Sequence, residues 1–440
     1  MASTDSTPKR PLSLGVIFLT LYVDLIGFSI VFPLGPSLID YYLKIDGQSG
    51  LLGWMLVKSN AAAHAFGQDH AFAAVLFGGV ITSFYSILQF ICAPLWGSLS
   101  DRRGRRGVLL VSVAGTALGY LLWIVSGSFW LFLLSRIVSG AFSGNLSVVT
   151  AAVADVTTRQ ERSRAMGLVG AAFGLGLITG PAIGGISAAF NPLSHHPSLA
   201  RFGVNPFSLP AGLALLFCLV NLGWIYRRFK ETLPPEARQE RREARIRNPL
   251  HAILMLDNAN VRRANIVAFV YSTAFVAMEA TLTFLAAERF HYGSTQNTYL
   301  LVFLGLIAIF TQGYVVRKLL KTMEETRVLT SGLVLTVLGL LAVALAGQPW
   351  VLYAGLAVLA TGSGLVNTSS SGLISLYADP AEQGRVLGIY RSLGSLSRAI
   401  TPLLAGIIFW ASGSRTVFVV AAIAAASAFA LSFRLPKPVK

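Results

Sequence analysis

The chain has 440 residues, of which 54% are hydrophobic and only 12% are charged. Soluble domains average about 25% charged residues, so this chain has too few to cover a surface in water. Apolar runs of about 18 or more residues recur from end to end, and such a run crosses about 30 Å of hydrocarbon as a helix. Barrel strands are excluded because they alternate apolar and polar residues in short segments. The sequence predicts an all-α polytopic membrane protein.

The net charge of +16 arises from 35 Lys and Arg against 19 Asp and Glu. In a soluble protein this surplus would point to nucleic acid, but membrane topology sorts cations to the cytoplasmic side. We therefore predict no nucleic-acid partner. Two cysteines, Cys92 and Cys218, lie within apolar runs and are too few for a disulfide framework or a metal cluster. We predict neither a metal site nor a cofactor.

Charged or Pro/Gly-rich breaks divide the apolar runs into twelve predicted helices. They fall near 13–39, 71–96, 107–127, 129–153, 163–189, 207–228, 262–288, 297–317, 327–347, 350–377, 384–410 and 416–434. A charged segment splits them six and six, which predicts a bundle over 1–228, a cytoplasmic linker over 229–261 and a second bundle over 262–440. The mixed charges of the linker favour a surface helix.

Counting cations by segment predicts the orientation. With a cytoplasmic N-terminus, 27 cations lie in cytoplasmic segments and five on the opposite side. This asymmetry is a strong positive-inside signal, and it places both termini in the cytoplasm. The first apolar run carries Asp24 and has no small-residue cleavage site, so we expect a retained helix rather than a removed signal peptide.

The two halves share a spacing of glycine, aspartate, arginine and proline. The matched residues are Gly140, Asp155, Arg164, Gly167, Pro181 and Gly185 in the first half and Gly364, Asp379, Arg385, Gly388, Pro402 and Gly406 in the second. Only the loop between Asp and Arg differs in length. The pattern predicts two bundles related by a pseudo-two-fold axis, with a binding site between them near the midplane.

The loop between spans two and three combines glycines, an aspartate and arginines in a tight turn. It reads Gly97-Ser-Leu-Ser-Asp101-Arg102-Arg-Gly104-Arg105-Arg. Glycine permits the turn, and the guanidinium groups of arginines there can donate hydrogen bonds to carboxylates or to helix-terminal carbonyls. Arginines alone would fit any cytoplasmic loop. The order of the residues, however, resembles the signature loop of the major facilitator superfamily.

Span five extends the resemblance. It reads Gly176-x-x-x-Gly180-Pro181-x-x-Gly184-Gly185 and is similar to the antiporter motif of that family. The same small residues also suit close packing against a neighbouring helix, and a proline bends a helix.

Spans one, two and four resemble the drug/proton antiporter branch, and most closely the tetracycline transporter-like proteins. Span one reads Asp24-Leu-Ile-Gly27, span two contains Gln89 before Pro94, and a long loop over 40–70 follows span one. Span four has Arg136 followed by a glycine at the family spacing, although it departs from the pattern at neighbouring positions. The closer match is concentrated in residues 20–190.

The resemblance implies two six-helix bundles that alternate access to a central cavity. It also implies a set of gating contacts. Asp101 would lie at the start of span eleven near Arg391, and Arg105 would pair with Asp155, so that the cytoplasmic side stays closed in the outward-facing state. The predicted gating residues are Gly97, Asp101, Arg102, Gly104, Arg105, Asp155, Arg391, Gly180 and Pro181.

Five ionisable residues fall inside spans, where burial costs several kcal/mol unless the group is paired or hydrated. They are Asp24, Arg136, Glu279, Arg391 and Arg398. Each could belong to a structural ion pair between helices. The functional alternative is that Asp24 or Glu279 takes and releases a proton, while Arg136 or Arg398 holds an anionic substrate or controls a carboxylate.

Four uncharged polar residues inside spans are candidates for the lining of the cavity. They are Gln89, Asn145, Gln312 and Asn367. Hydrogen bonding between helices is an equal alternative for each. No Walker loop, no Rossmann glycine pattern and no HExxH motif occurs, so ATP-driven transport and metal hydrolysis lack support, and we predict that the chain is not an enzyme.

The hypothesis is a secondary active transporter. We expect a proton-coupled antiporter that exports an amphipathic drug-like or organic-anion small molecule. The alternative of the same fold is an uncoupled facilitator or a carrier of lipid-like substrates. Its partners would be the small molecule, protons and the bilayer, with no nucleic acid, and we expect a monomer. The absence of a usable glycosylation site and the short N-terminal segment favour a bacterial inner membrane.

Overall fold

The computed structural model describes residues 14–46, 49–65, 73–157, 162–233, 256, 258–378 and 383–437. Within these ranges the chain is α-helical with short turns and has no strand. The prediction of an all-α polytopic protein is confirmed.

In the first half, proline and glycine set most of the helix boundaries. The helices are α1 (Leu14–Ser29), α2 (Gly35–Asp46), α3 (Gly50–Ala65), α4 (Ala73–Arg103), α5 (Arg105–Ile124), α6 (Phe129–Phe142), α7 (Asn145–Val156), α8 (Arg162–Ala188), α9 (Pro192–His195) and α10 (Ser208–Arg228). A 3-10 turn over Phe32–Leu34 separates α1 from α2, because Pro33 and Pro36 remove backbone donors that a continuous helix needs.

The second half has fewer and longer helices. They are α11 (Ala259–Phe290), α12 (Ser294–Phe310), α13 (Val316–Leu319), α14 (Glu325–Ala344), α15 (Pro349–Tyr377) and α16 (Gln383–Ser432). A π-helical turn over Thr311–Val315 joins α12 to α13. Gly413, with φ 77° and ψ 171°, breaks α16 into the two predicted last spans.

Ten helical stretches in the described ranges are long and apolar enough to cross a membrane. The stretch over Val386–Ser432 is one of them and contains the break at Gly413, and α8, which corresponds to predicted span five, is not among them. Twelve crossings fit this arrangement, and the count itself stays a prediction.

Three predicted boundaries are wrong. Span one continues to Asp46, and the loop expected over 40–70 contains the end of α2 and the whole of α3. Span four is divided between α6 and α7 at Ser143 and Gly144. Apolar composition continues across Ser143 and Gly144, so it does not reveal the division of span four.

The buried apolar side chains divide between the two halves of the chain. One cluster is built from residues between Ile17 and Phe229. The other three are built from residues between Leu256 and Leu435, with Val75 as their one member from the first half. We call these halves the N bundle and the C bundle. Cys218 is buried in the N bundle, Cys92 is half-buried, and both are free thiols.

The helix ends define two faces. One face carries the turn between α4 and α5, the end of α10 and the end of α13, and we call it the basic face. The turns after α5 and α11 lie on the other face, which we call the opposite face.

The close approaches between bundles at glycines lie toward the opposite face. A Cβ on Gly79 of α4 would lie 2.8 Å from the carbonyl oxygen of Pro402 in α16. Ser294 and Ser37 also hydrogen-bond across the bundles at 3.2 Å.

Candidate functional site

A polar chain of three side chains lies inside the N bundle. The Nδ2 of Asn145 donates to Oδ1 of Asp24 at 2.6 Å. The hydroxyl of Ser112 donates to Oδ1 of Asn145 at 2.5 Å. Because the hydroxyl occupies the amide oxygen, the amide nitrogen is directed to the carboxylate. The three residues belong to α7, α1 and α5, so helices distant in sequence build this site.

The local backbone explains why Asn145 reaches Asp24. Gly144 ends the turn that separates α6 from α7, and Asn145 is the first residue of α7. Asn145 is buried, whereas Asp24 is half-buried. The described residues give Asp24 no cationic partner, so its carboxylate is stabilised by one amide rather than by an ion pair.

Arg136 of α6 is buried without a carboxylate beside it among the described residues. Its guanidinium lies 4.7 Å from the ring centroid of Trp123 and 5.5 Å from that of Phe132. Its Nε donates weakly to Ser135 at 3.5 Å, and its Nη2 has no hydrogen-bond partner. Aromatic faces attract a cation but do not neutralise it. The group therefore has unused capacity to bind an anion.

Glu279 and Arg398 form an ion pair in the C bundle. Nη1 of Arg398 in α16 lies 2.9 Å from Oε2 of Glu279 in α11, and the side chains are 31% and 21% exposed. The pair is therefore accessible rather than sealed in the core. It lies in a different bundle from Asp24 and Arg136, so these four of the five predicted intramembrane ions divide between the two bundles.

The other three predicted lining residues lie at half-buried or exposed positions. Gln89 of α4 is half-buried, and its Nε2 lies 3.5 Å from the carbonyl of Ser143. Gln312 is exposed within the π-helical turn. Asn367 of α15 is half-buried. Asn145 is thus the one of the four that the structure joins to an intramembrane ion.

A network of charged groups lies at the basic face. Arg105 is 1% exposed, and it forms ion pairs with Asp155 at 2.9 Å and Asp101 at 2.7 Å. Its Nη1 also donates to the hydroxyl of Ser100 at 2.7 Å. Gly104 has φ 96°, a conformation that strains any residue with a Cβ. The structure thus contains the expected contact between Arg105 and Asp155.

The remaining predicted gating residues serve packing or lie at the surface in this structure. A Cβ on Gly180 of α8 would lie 2.0 Å from the hydroxyl oxygen of Ser29 in α1, so Gly180 and the adjacent Pro181 belong to a tightly packed helix pair. Gly97 is buried in α4, while Arg102 and Arg391 are exposed. The gating roles of these residues stay predictions.

The sequence interpretation missed Glu231, which joins the linker to this network. Its Oε1 accepts from the backbone N–H of Arg105 at 2.8 Å, and its Oε2 accepts from that of Arg106 at 3.2 Å. The first N–H groups of a helix have no partner within the helix, and a carboxylate there is favourable. Thr232 adds a hydrogen bond to Asp155 at 3.2 Å. No local signal marks a contact over 126 residues.

The predicted linker helix falls mainly on residues that the structure does not describe, so it stays a prediction. The described residues 229–233 are not helical, and they contact the N bundle through Glu231 and Thr232. The segments 234–255 and 257 lie outside the described residues, as does Asp379 of the repeat.

Two bundles of membrane-spanning helices, each with ionisable groups inside the spans, are the architecture of a secondary transporter. The family model described as Major Facilitator Superfamily matches residues 17–346 and 319–440. The chain belongs to the major facilitator superfamily. It is a multi-pass membrane transporter and not an enzyme.

Relatives span nearly the whole chain. The chain is 32% identical to major facilitator superfamily domain-containing protein 10 of Mus musculus, over 96% of this chain and 92% of that protein. It is 28% identical to the class C tetracycline resistance protein of Escherichia coli, over 91% and 90%. The crystal structure of the human organic anion transporter MFSD10 (TETRAN) matches with a TM-score of 0.75 and 31% identity, over 97% of this chain and all of that one.

Proposed function

We propose that the protein is a proton-coupled antiporter that exports an organic anion or an amphipathic drug-like molecule. The observation that carries the proposal is a carboxylate and a guanidinium inside the N bundle that have no ionic partner among the described residues. Asp24 contacts an amide, and Arg136 contacts aromatic rings and a hydroxyl. A carboxylate without a cation can take up and release a proton, and a guanidinium without a carboxylate can receive an anion.

The names of the relatives support the two substrate classes in the proposal. One similar structure is that of a human organic anion transporter, and several similar bacterial proteins are tetracycline resistance proteins. An organic anion would satisfy the unpartnered nitrogen of Arg136. We therefore favour an anionic substrate over a neutral one.

The C bundle would supply a second binding element. The carboxylate of Glu279 now forms an ion pair with Arg398. An anionic substrate would compete with this carboxylate for the guanidinium, so Arg398 is a second candidate for anion binding and Glu279 a second candidate for proton transfer.

The structure would represent the inward-facing state. The bundles meet at glycines toward the opposite face, and the charge count favours the basic face as the cytoplasmic one.

We propose that both termini are cytoplasmic and that the protein acts as a monomer. Transport would be driven by the proton gradient without a cofactor. The relatives come from mammals and bacteria, and the bacterial inner membrane stays a prediction.

The test is proton flux in vesicles that contain the purified protein. An imposed pH gradient should collapse when an organic anion such as a fluorescent dye acid is added. Asp24→Asn should abolish this response. Asp40→Asn, a matched change at an exposed position of α2, should leave it intact.

Two results would contradict the proposal. Flux in Asp24→Asn equal to that of the unmodified protein would remove Asp24 from the coupling mechanism. Dye movement without dissipation of the gradient would favour the uncoupled facilitator.

A further inference from the structure

A groove lies on the lipid-facing surface of the N bundle, between α5 and α10. It has a volume of about 650 Å³, and its walls include Leu110, Val111 and Ala114 of α5 and Leu219, Leu222 and Gly223 of α10. Ala114 and Gly223 are small, so the helices leave a hollow there. Val111 and Leu219 are 55% and 49% exposed. Large apolar side chains exposed on a membrane-spanning surface indicate contact with hydrocarbon.

The groove is separate from the transport site. The side chains of α5 and α10 that face the N-bundle interior are buried, and they include the polar Ser112 and Asn221. Ser112 donates to Asn145, and Asn221 donates to the carbonyl of Thr20. The groove lies on the other side of these two helices. A molecule in it would contact the bilayer and not Asp24.

One end of the groove is cationic. Arg227 belongs to its lining, beside Tyr226. The guanidinium of Arg106 lies 5.4 Å from the centroid of the Tyr226 ring, and its Nη2 donates to the Tyr226 carbonyl at 2.6 Å. The Nε of Arg106 has no hydrogen-bond partner among the described residues. Neither arginine forms an ion pair with a described residue.

The dimensions match the interfacial region of a bilayer. Arg106 and Arg227 lie at the ends of α5 and α10 on the basic face. Ala114 is nine residues after Arg105, and therefore about 14 Å deeper along the helix. The groove thus combines a cationic entrance with an apolar floor that extends into the hydrocarbon.

We propose that this groove binds an anionic phospholipid of the leaflet at the basic face. The acyl chains lie along the apolar walls, and the phosphate lies between Arg106 and Arg227. Basic pockets between transmembrane helices bind anionic head groups in this way. Charge complementarity selects an anionic lipid over a zwitterionic one, because neither guanidinium forms an ion pair with a described residue and the nearby carboxylate of Glu231 binds backbone N–H groups instead.

The position of the lipid links it to the basic-face network. Arg106 directly follows Arg105, whose side chain holds Asp101 and Asp155. Glu231 binds the backbone N–H groups of both arginines. A phosphate on Arg106 would therefore stabilise the start of α5, and with it the turn in its present conformation.

Native mass spectrometry of the purified full chain with defined lipids tests the proposal. The probes are phosphatidylglycerol, which is anionic, and phosphatidylcholine of the same chain length. We expect Arg227→Gln and the groove-filling change Ala114→Phe each to weaken phosphatidylglycerol binding about fivefold. Arg317→Gln, which removes an exposed arginine of α13 at the same face, should have no effect.

Equal binding of the two lipids to the unmodified protein would overturn the proposal. Equal phosphatidylglycerol binding by the unmodified protein, Arg227→Gln and Ala114→Phe would overturn it as well. Displacement of bound phosphatidylglycerol by a neutral drug, with no dependence on Arg227, would assign the groove to drug binding instead. None of these measurements involves transport, so their outcome is independent of the proposed antiport.

Discussion

Arg136 is distinguished from the other buried arginine, Arg105, because no carboxylate among the described residues pairs with it. It is 6% exposed, and its guanidinium stacks on Trp123 at 4.7 Å. Arg201 makes a similar contact with Phe202, also at 4.7 Å, but it is exposed on the opposite face. The two residues therefore share a stacking geometry and differ in solvation, so Arg201 is a matched control for Arg136.

We expect Arg136→Gln to raise the KM for an organic anion about tenfold, because a charge-assisted hydrogen bond to the substrate is lost. Arg136→Lys should retain part of the affinity, since the charge remains, and Arg201→Gln should match the unmodified protein. Initial rates of dye uptake into vesicles measure this. An equal loss for neutral and anionic substrates would show that Arg136 supports structure rather than anion binding.

Ser112 and Asn145 act in series on Asp24. Asn145 donates to the carboxylate, and Ser112 fixes the direction of the amide. We expect Asn145→Ala to reduce proton-coupled flux about tenfold and Ser112→Ala to reduce it less, because the amide can still rotate into place. Vesicle flux measures both effects.

A double-mutant cycle provides the control for this order. If Ser112 acts only through Asn145, Ser112→Ala adds no further loss in the Asn145→Ala protein. Additive losses would contradict the series arrangement. Ser371→Ala, which removes a hydroxyl bonded to the Asn367 carbonyl in the C bundle, is the matched change outside the N bundle.

The sequence identified most of the residues of this site but not their contacts. Asp24, Arg136 and Asn145 stand out because polar groups are rare in apolar runs. Their pairing depends on contacts across more than a hundred positions, such as the 121 between Asp24 and Asn145, and local patterns carry no such information. Ser112 was missed because a serine in a membrane helix is common and satisfies itself on a nearby carbonyl.

Close contact between helices at the opposite face depends on glycines, which have no side chain. A Cβ on Gly79 of α4 would lie 2.8 Å from the carbonyl oxygen of Pro402 and 3.3 Å from the Cα of Gly406 in α16. Both approaches are to backbone, which cannot move aside as a flexible side chain can. Gly388, lower on the same α16 and toward the basic face, has open space around its Cβ position.

We expect Gly79→Leu to separate the bundles at the opposite face, because the packed helices cannot absorb the added side chain. Spin labels at Ser194 and Ser412, which are exposed on the two bundles, should report a longer distance by pulsed electron paramagnetic resonance. Gly388→Leu should give the distance distribution of the unmodified protein. An unchanged distribution in Gly79→Leu would show that this contact does not set the opening.

Helix positions were predicted better than helix interruptions. The apolar runs located the spans because the bilayer demands length and hydropathy. The break at Phe32–Leu34 follows from Pro33 and Pro36. The break at Gly144 occurs inside continuous apolar sequence and depends on hydrogen bonding and tertiary packing. α3 was missed because its 16 residues are fewer than a membrane crossing needs and because it lies between two predicted crossings.

At the scale of the whole molecule, the charge distribution is the main evidence for orientation. The basic face carries the arginines of the turn at 102–106 and those at the end of α10. These cations oppose translocation across the membrane, so the face that bears them should be cytoplasmic. The proposed direction of export, the inward-facing assignment and the leaflet of the proposed lipid all depend on this orientation.

Cysteine accessibility measures the orientation directly. In a background with Cys92→Ala and Cys218→Ala, Thr322→Cys places a thiol at the exposed basic face and Ser194→Cys places one at the exposed opposite face. In intact cells, a membrane-impermeant maleimide should label the thiol at 194 and leave the thiol at 322 unlabelled until the membrane is permeabilised. The reverse pattern would place the basic face outside, and the bundles would then be closed toward the cytoplasm and open to the exterior.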